Sequence, residues 1–218
     1  MDFLGIGPDE LRKGLILYIV LVASLSVHEW AHAFTADRLG DDTPRLQGRV
    51  TLNPIVHMDL LGTVIFPLLC IFVFKGGFFF GWAKPVLVNI SNFEHRRRDH
   101  ILVTLAGPGS NLVLALIAAI VGGLVYGLDP KTPELFLLVI GLNVVLAVFN
   151  MIPIPPLDGG QIMRYVVGMS EETFFNLARW GFLILLVAIN LPPVRAVLGF
   201  VIDLVQTPFL LVYGLIAT

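Results

Sequence analysis

The sequence predicts an all-α polytopic membrane protein, and three observations carry that prediction. Of 218 residues, 56% are hydrophobic and only 14% are charged, and the mean hydropathy is +0.86. A water-soluble domain of this length needs a polar exterior and has little use for so much apolar surface. The apolar residues also gather into long runs, several of them near the ~20 residues that carry a helix across a ~30 Å hydrocarbon core. Turn chemistry separates these runs. The single cysteine, Cys70, sits in an apolar run, cannot close an intrachain disulfide and reads as a small buried hydrophobe. A net charge of −2 gives no electrostatic footprint for nucleic acid.

Five apolar stretches follow in order: A (14–36), B (101–126), C (135–156), D (177–190) and E (197–216). Asp129-Pro130-Lys131-Thr132-Pro133 turns the chain between B and C. Leu191-Pro192-Pro193 separates E from D, which is short for a full span. Stretch A has features of a signal peptide: Arg12 and Lys13 precede it, and Ala31-His32-Ala33 imitates a cleavage site. The bulky and polar His28, Glu29 and Trp30 just before that point argue against cleavage, so A is retained as a helix. Between A and B, Gly40-Asp41-Asp42-Thr43-Pro44 ends the first helix, and residues 45–52 alternate loosely, as a short strand would. Residues 60–74 are apolar but interrupted by Gly62 and Pro67. Gly76-Gly77 follows, and residues 78–90 look extended. The expected architecture is a three-helix core (A, B, C), additional C-terminal transmembrane helices (D, E), and a membrane re-entrant β-like or hairpin segment at about 45–90. All of it is expected in one membrane-embedded domain spanning 1–218.

Stretch A contains His28-Glu29-Trp30-Ala31-His32, an H-E-x-x-H pattern on a helix. Residues i and i+4 share a helical face, so both imidazoles can reach one zinc, while Glu29 can take a proton from water activated there. Inside a span an ionisable group costs at least ~2.5–3.5 kcal/mol, so two histidines and a glutamate there read as functional rather than accidental. A catalytic zinc takes three protein ligands. Soluble-family continuations fail, because Thr35 and Arg38 stand where Gly and His would be needed, and no glutamate lies between Glu29 and Glu94. Candidates for the third ligand are His57, Asp59, Asp41, Asp42, or the distant Asp158. The last follows Asn150-Met151-Ile152-Pro153-Ile154-Pro155-Pro156-Leu157, whose prolines unwind the chain. An ordinary Asp-Gly turn is an equally good reading of Asp158-Gly159 on spacing alone.

These residues together resemble the site-2 protease family of intramembrane zinc metalloproteases, peptidase M50, in its compact bacterial type without PDZ or CBS domains. The resemblance rests on His28-Glu29-Trp30-Ala31-His32 and on Asn150-Met151-Ile152-Pro153-Ile154-Pro155-Pro156-Leu157-Asp158-Gly159. Ala106-Gly107-Pro108-Gly109-Ser110-Asn111 lies between them, with Gly48-Arg49-Val50-Thr51-Leu52-Asn53-Pro54 and Gly81-Trp82-Ala83-Lys84-Pro85-Val86 as further signatures. It covers the chain to about residue 165. It implies one Zn2+ held by His28, His32 and Asp158, with Glu29 as the catalytic residue and Asn150 and Asn111 near the substrate or its oxyanion. It also implies a catalytic core over about 14–165, C-terminal helices over about 177–216, and single-span transmembrane proteins or peptides as substrates.

If the three ligands share one metal, A and C run in the same direction and only B crosses between them. Residues 59–80 would then enter the membrane without crossing it. With the N-terminus outside, Arg38, Arg45, Arg49, Lys75, Lys84, Arg96, Arg97, Arg98, Arg164 and Arg179 fall on the cytoplasmic side, and Arg12, Lys13, Lys131 and Arg195 on the other. That bias fits the positive-inside rule and sets the site toward the cytoplasmic half of a cell membrane. Stretches 45–52 and 78–90 are candidates to pair with an unwound substrate backbone. A metal transporter using the same ligands is the main rival, but the sequence shows neither internal symmetry nor a polar path.

Overall fold

Helices account for the regular structure of this computed structural model, which describes residues 7–73, 81–129 and 131–217. The chain divides into two compact units, Met1–Phe93 and Glu94–Thr218. Five helices are long and apolar enough to cross a membrane: Pro8–Arg38, Arg96–Leu124, Thr132–Asn150, Glu171–Asn190 and Pro192–Ile216. The protein is therefore an all-α, multi-pass membrane protein.

In the first unit, α1 (Pro8–Arg38) begins earlier than stretch A because Pro8 suits the first helical turn and the Glu10 carboxylate accepts from the Gly7 N–H at 3.1 Å. Its buried face includes Leu21, Leu25, His28, His32 and Ala36, spaced at three and four residues. The expected strand at 45–52 is absent. Thr43–Leu46 forms a one-turn helix, α2, nucleated by Pro44 near its start, and Gly48 then turns the chain with φ 68°. No strand occurs among the described residues, and the expectation of a strand at 45–52 is corrected. Loose alternation over a few residues does not outweigh a Pro-initiated turn.

Leu60–Ile65 is a π-helix that runs into α3 (Phe66–Phe72). Asp59 caps it by accepting from the Leu61 and Gly62 N–H groups at 3.0 and 2.7 Å. At 1.5 Å per residue, this short piece cannot span a bilayer. Gly76, Gly77 and the Phe78–Phe80 cluster lie outside the described residues. Residues 81–89 have no regular secondary structure. They are stitched to the π-helix region by Trp82 N–H to the Gly62 carbonyl (3.1 Å) and by Thr63 Oγ1–H to the Trp82 carbonyl (2.7 Å). Gly62 is required there, since a Cβ would lie 2.4 Å from the Trp82 indole.

In the second unit, α4 (Arg96–Leu124) and α5 (Thr132–Asn150) form a helical hairpin. Ala115, Ala118 and Ala119 are buried, and Gly122 abuts Phe136, so small side chains allow close helix packing. Stretch C ends at Asn150, not 156, because Pro153, Pro155 and Pro156 cannot continue the helix. A separate helix, α6 (Asp158–Val167), follows and ends on Gly168 in the left-handed region. Stretch D reaches membrane length, because α7 (Glu171–Asn190) starts six residues before 177. Ser170 caps it by accepting from the Thr173 N–H at 3.1 Å, with Glu171 and Glu172 in its first turn. Only Leu191 separates it from α8 (Pro192–Ile216), whose Leu198, Val201 and Val205 pack on Ala115, Val144 and Val148.

Candidate metal centre

His28 and His32 occupy one face of α1 one turn apart, both buried, with Nε2 atoms 3.1 Å from each other and rings edge-to-face. Two imidazole nitrogens on one tetrahedral zinc, each at about 2.0–2.1 Å, would be roughly 3.3 Å apart. The pair therefore fits a shared zinc, and nitrogen donors with a carboxylate suit that ion.

Glu29 is buried as well. Its Oε2 accepts from the Val86 backbone N–H at 3.0 Å and stands 3.8 Å from Nη2 of Arg49. Arg49 is itself only 4% exposed, and its guanidinium donates to the Val56 and Lys84 carbonyls. In the sequence Arg49 registers only as a cation and as part of a motif, and the Val86 amide carries no side-chain signal at all. The nearest sequence signal is Gly48, which turns the chain with a positive φ just before Arg49.

Three of the four other third-ligand candidates of this unit have structural partners. His57 directs Nε2 at the Thr51 carbonyl, 2.8 Å away, and burial holds its imidazole below its ordinary value against that hydrogen bond. Asp59 is the π-helix cap. Asp41, fully enclosed, accepts from Thr43 N and Oγ1, Asn89 N and Asn92 Nδ2 at 2.6–3.1 Å. Burial is the largest single influence on Asp41 and opposes ionisation, but these four bonds together outweigh it and hold the carboxyl below its usual range. Asp42 stands at the N-cap position of α2 without a side-chain capping bond.

In the second unit, Asp158 opens α6 and is half-buried. The loop before it folds back onto that first turn so closely that a Cβ at Gly159 would lie 2.2 Å from the Met151 carbonyl oxygen. A Cβ at Gly160 would meet the Pro155 nitrogen at 2.5 Å. Helix α6 is pinned to its neighbours by Tyr165 Oη to His100 Nδ1 (2.7 Å), Arg97 Nη2 to the Tyr165 carbonyl (2.9 Å) and the Arg164–Glu171 ion pair (2.7 Å). Asn150 is half-buried and donates to the Leu146 carbonyl at 2.9 Å. Asn111 is fully enclosed and donates to Asn143 Oδ1 at 2.9 Å, a hydrogen bond between α4 and α5. Met151, Ile152 and Pro153 line an apolar cavity of about 690 Å³ with residues of α4 and α8.

A buried H-E-x-x-H pair with metal-like spacing, on a helix able to cross a membrane, defines the class of membrane-bound metalloproteases. The comparisons with known proteins agree. Residues 128–189 match the model described as "Peptidase family M50". A protein of Bacillus subtilis (strain 168), named "Putative zinc metalloprotease YwhC", is 39% identical over 185 residues, covering 81% of this chain and 80% of the relative. "Putative zinc metalloprotease Rip2" of Mycolicibacterium smegmatis is 32% identical over 198 residues, 86% of this chain and 73% of the relative. Its namesake in Mycobacterium tuberculosis (strain H37Rv) is 33% identical over 150 residues, 66% and 55% of the two chains. No solved structure matches the chain significantly. The chain belongs to peptidase family M50, the site-2 type of zinc metalloprotease, and is a hydrolase of that kind.

Proposed function

We propose that this protease cleaves transmembrane segments of other membrane proteins, in regulated intramembrane proteolysis, with one Zn2+ held by His28, His32 and Asp158. The observation that carries the reading is the buried His28–His32 pair, with Glu29 beside it, on a membrane-length helix. When bound, zinc would polarise the scissile carbonyl and make water more acidic. The remaining work falls to the chain. Glu29 removes a proton from the water that attacks the carbonyl carbon. It then delivers that proton to the amide nitrogen as the C–N bond breaks, leaving a carboxylate and an amine. Asn150 is the residue we assign to donate to the carbonyl oxygen as negative charge develops there. Asn111 is the second amide of the substrate region, acting through the α4/α5 pairing.

The substrate class follows from the setting: a catalytic group within a span meets other spans first. The substrate must unwind locally, and residues 48–52 and 81–90 are the stretches we assign to hold its freed backbone. The chain works as one membrane-embedded catalytic domain in the cell membrane. Residues 60–72 enter that membrane without crossing, the N-terminus is outside, and the site faces the cytoplasmic half, where ten of the fourteen cations fall. Mass analysis of products from a panel of transmembrane peptides in detergent tests the substrate class. Cuts inside the apolar span are expected, whereas cuts only in flanking polar sequence would overturn it.

A further inference from the structure

We propose that Arg49 is a positioning residue for Glu29, acting through the segment that carries Lys84 and Val86. This rests on Glu29 being the base, and it adds how that carboxylate is held. The guanidinium forks between two backbone carbonyls, Val56 and Lys84. The Lys84 N–H in turn donates to the His57 carbonyl at 2.8 Å, so residue 84 is fastened at both its N–H and its C=O. Two residues on, the Val86 N–H holds Oε2 of Glu29 at 3.0 Å. Arg49 thus ties the loop after α2 to the 81–86 segment, and that segment grips one oxygen of the carboxylate.

The physical reasoning is specific to arginine. A buried guanidinium is costly unless its donors are satisfied and its charge is matched. Nε has no acceptor among the described residues, so the group depends on the two carbonyls and on Glu29, its one ion-pair partner within 4 Å among the described residues. The same arrangement divides the work between the two carboxylate oxygens. Oε2 is occupied by Val86 and faces Arg49, while Oε1 accepts no hydrogen bond among the described residues and is the oxygen assigned to the water proton. A lysine would keep the charge but donates from a single nitrogen and lacks the planar two-nitrogen fork that reaches both carbonyls here.

The test compares Arg49→Lys, Arg49→Gln and Glu29→Gln in purified full-length protein. Zinc content, thermal midpoint, and kcat and KM on a transmembrane peptide are measured together. Displacing a catalytic group by about 1 Å can cost ~100-fold in rate. We expect Arg49→Gln to keep wild-type zinc and KM within about twofold while kcat falls about 10- to 100-fold, with Arg49→Lys between it and wild type. If Arg49→Gln does not fold, Arg49→Lys decides alone, by a kcat loss at unchanged zinc and KM. An unchanged kcat, or a loss confined to KM, overturns the role of Arg49. If Glu29→Gln abolishes turnover while Arg49→Gln does not slow it, only the positioning role falls. If Glu29→Gln cleaves normally, the base assignment itself falls.

Discussion

Asp158, His57 and Asp41 all carry side chains able to bind a metal. His57 and Asp41 are committed to backbone and amide partners within the first unit. Asp158→Ala should therefore abolish stoichiometric zinc, and His57→Ala should leave it, as measured by metal analysis of the purified variants. The Asp41 environment also predicts a pH dependence. Its folded carboxyl is held below the unfolded value of about 3.9. The stability it supplies is complete above that value and is lost as pH falls through the folded one. Asp41→Asn should lower the thermal midpoint at neutral pH, by about 1–2 kcal/mol of stability. It should also flatten the acid side of the stability profile below about pH 4. An unchanged acid limb would show that Asp41 is not its source. At Asn111, losing a buried interhelical hydrogen bond should cost roughly 0.6–1.7 kcal/mol, so Asn111→Ala should melt earlier while keeping its zinc.

Among the elements, the turn from α5 into α6 is the most exacting. A methyl at Gly159 would sit 2.2 Å from the Met151 carbonyl oxygen, and one at Gly181 would sit 1.9 Å from that of Pro155. Backbone cannot yield as a side-chain tip can, so Gly159→Ala and Gly181→Ala should both lower the melting point. Gly159→Ala should also displace Asp158 and lower zinc occupancy. Gly199→Ala, with open space around it, is the control and should do neither. Much of this level was legible in the sequence. The five apolar stretches became five membrane-length helices, because long hydrophobic runs and Pro-Gly punctuation report directly on what a bilayer requires. The pieces misread were short or capped. Thr43–Leu46 is one turn initiated by Pro44, Asp158–Val167 opens at the motif aspartate, and α7 starts at a serine cap outside its apolar run. Hydropathy averages over such features. The histidine pair was legible because its chemistry lies in i, i+4 spacing. The Arg49–Lys84–Val86 connection was not, because it passes through backbone atoms distant in sequence.

For the whole molecule, the central questions are orientation and reaction. Cys70 is the only cysteine and is 1% exposed, so new cysteines can be labelled against a low background. Arg97→Cys should react with an impermeant thiol reagent only from the cytoplasmic side, and Lys131→Cys only from outside. The reverse pattern would invert the proposed topology. The most direct test of the account is a paired measurement on wild type and Glu29→Gln: zinc content, and cleavage of transmembrane peptides in detergent. About one zinc per chain is expected in both proteins, with cleavage by wild type alone. Undiminished cleavage by Glu29→Gln, or no zinc in wild type with His28, His32 and Asp158 intact, would contradict it.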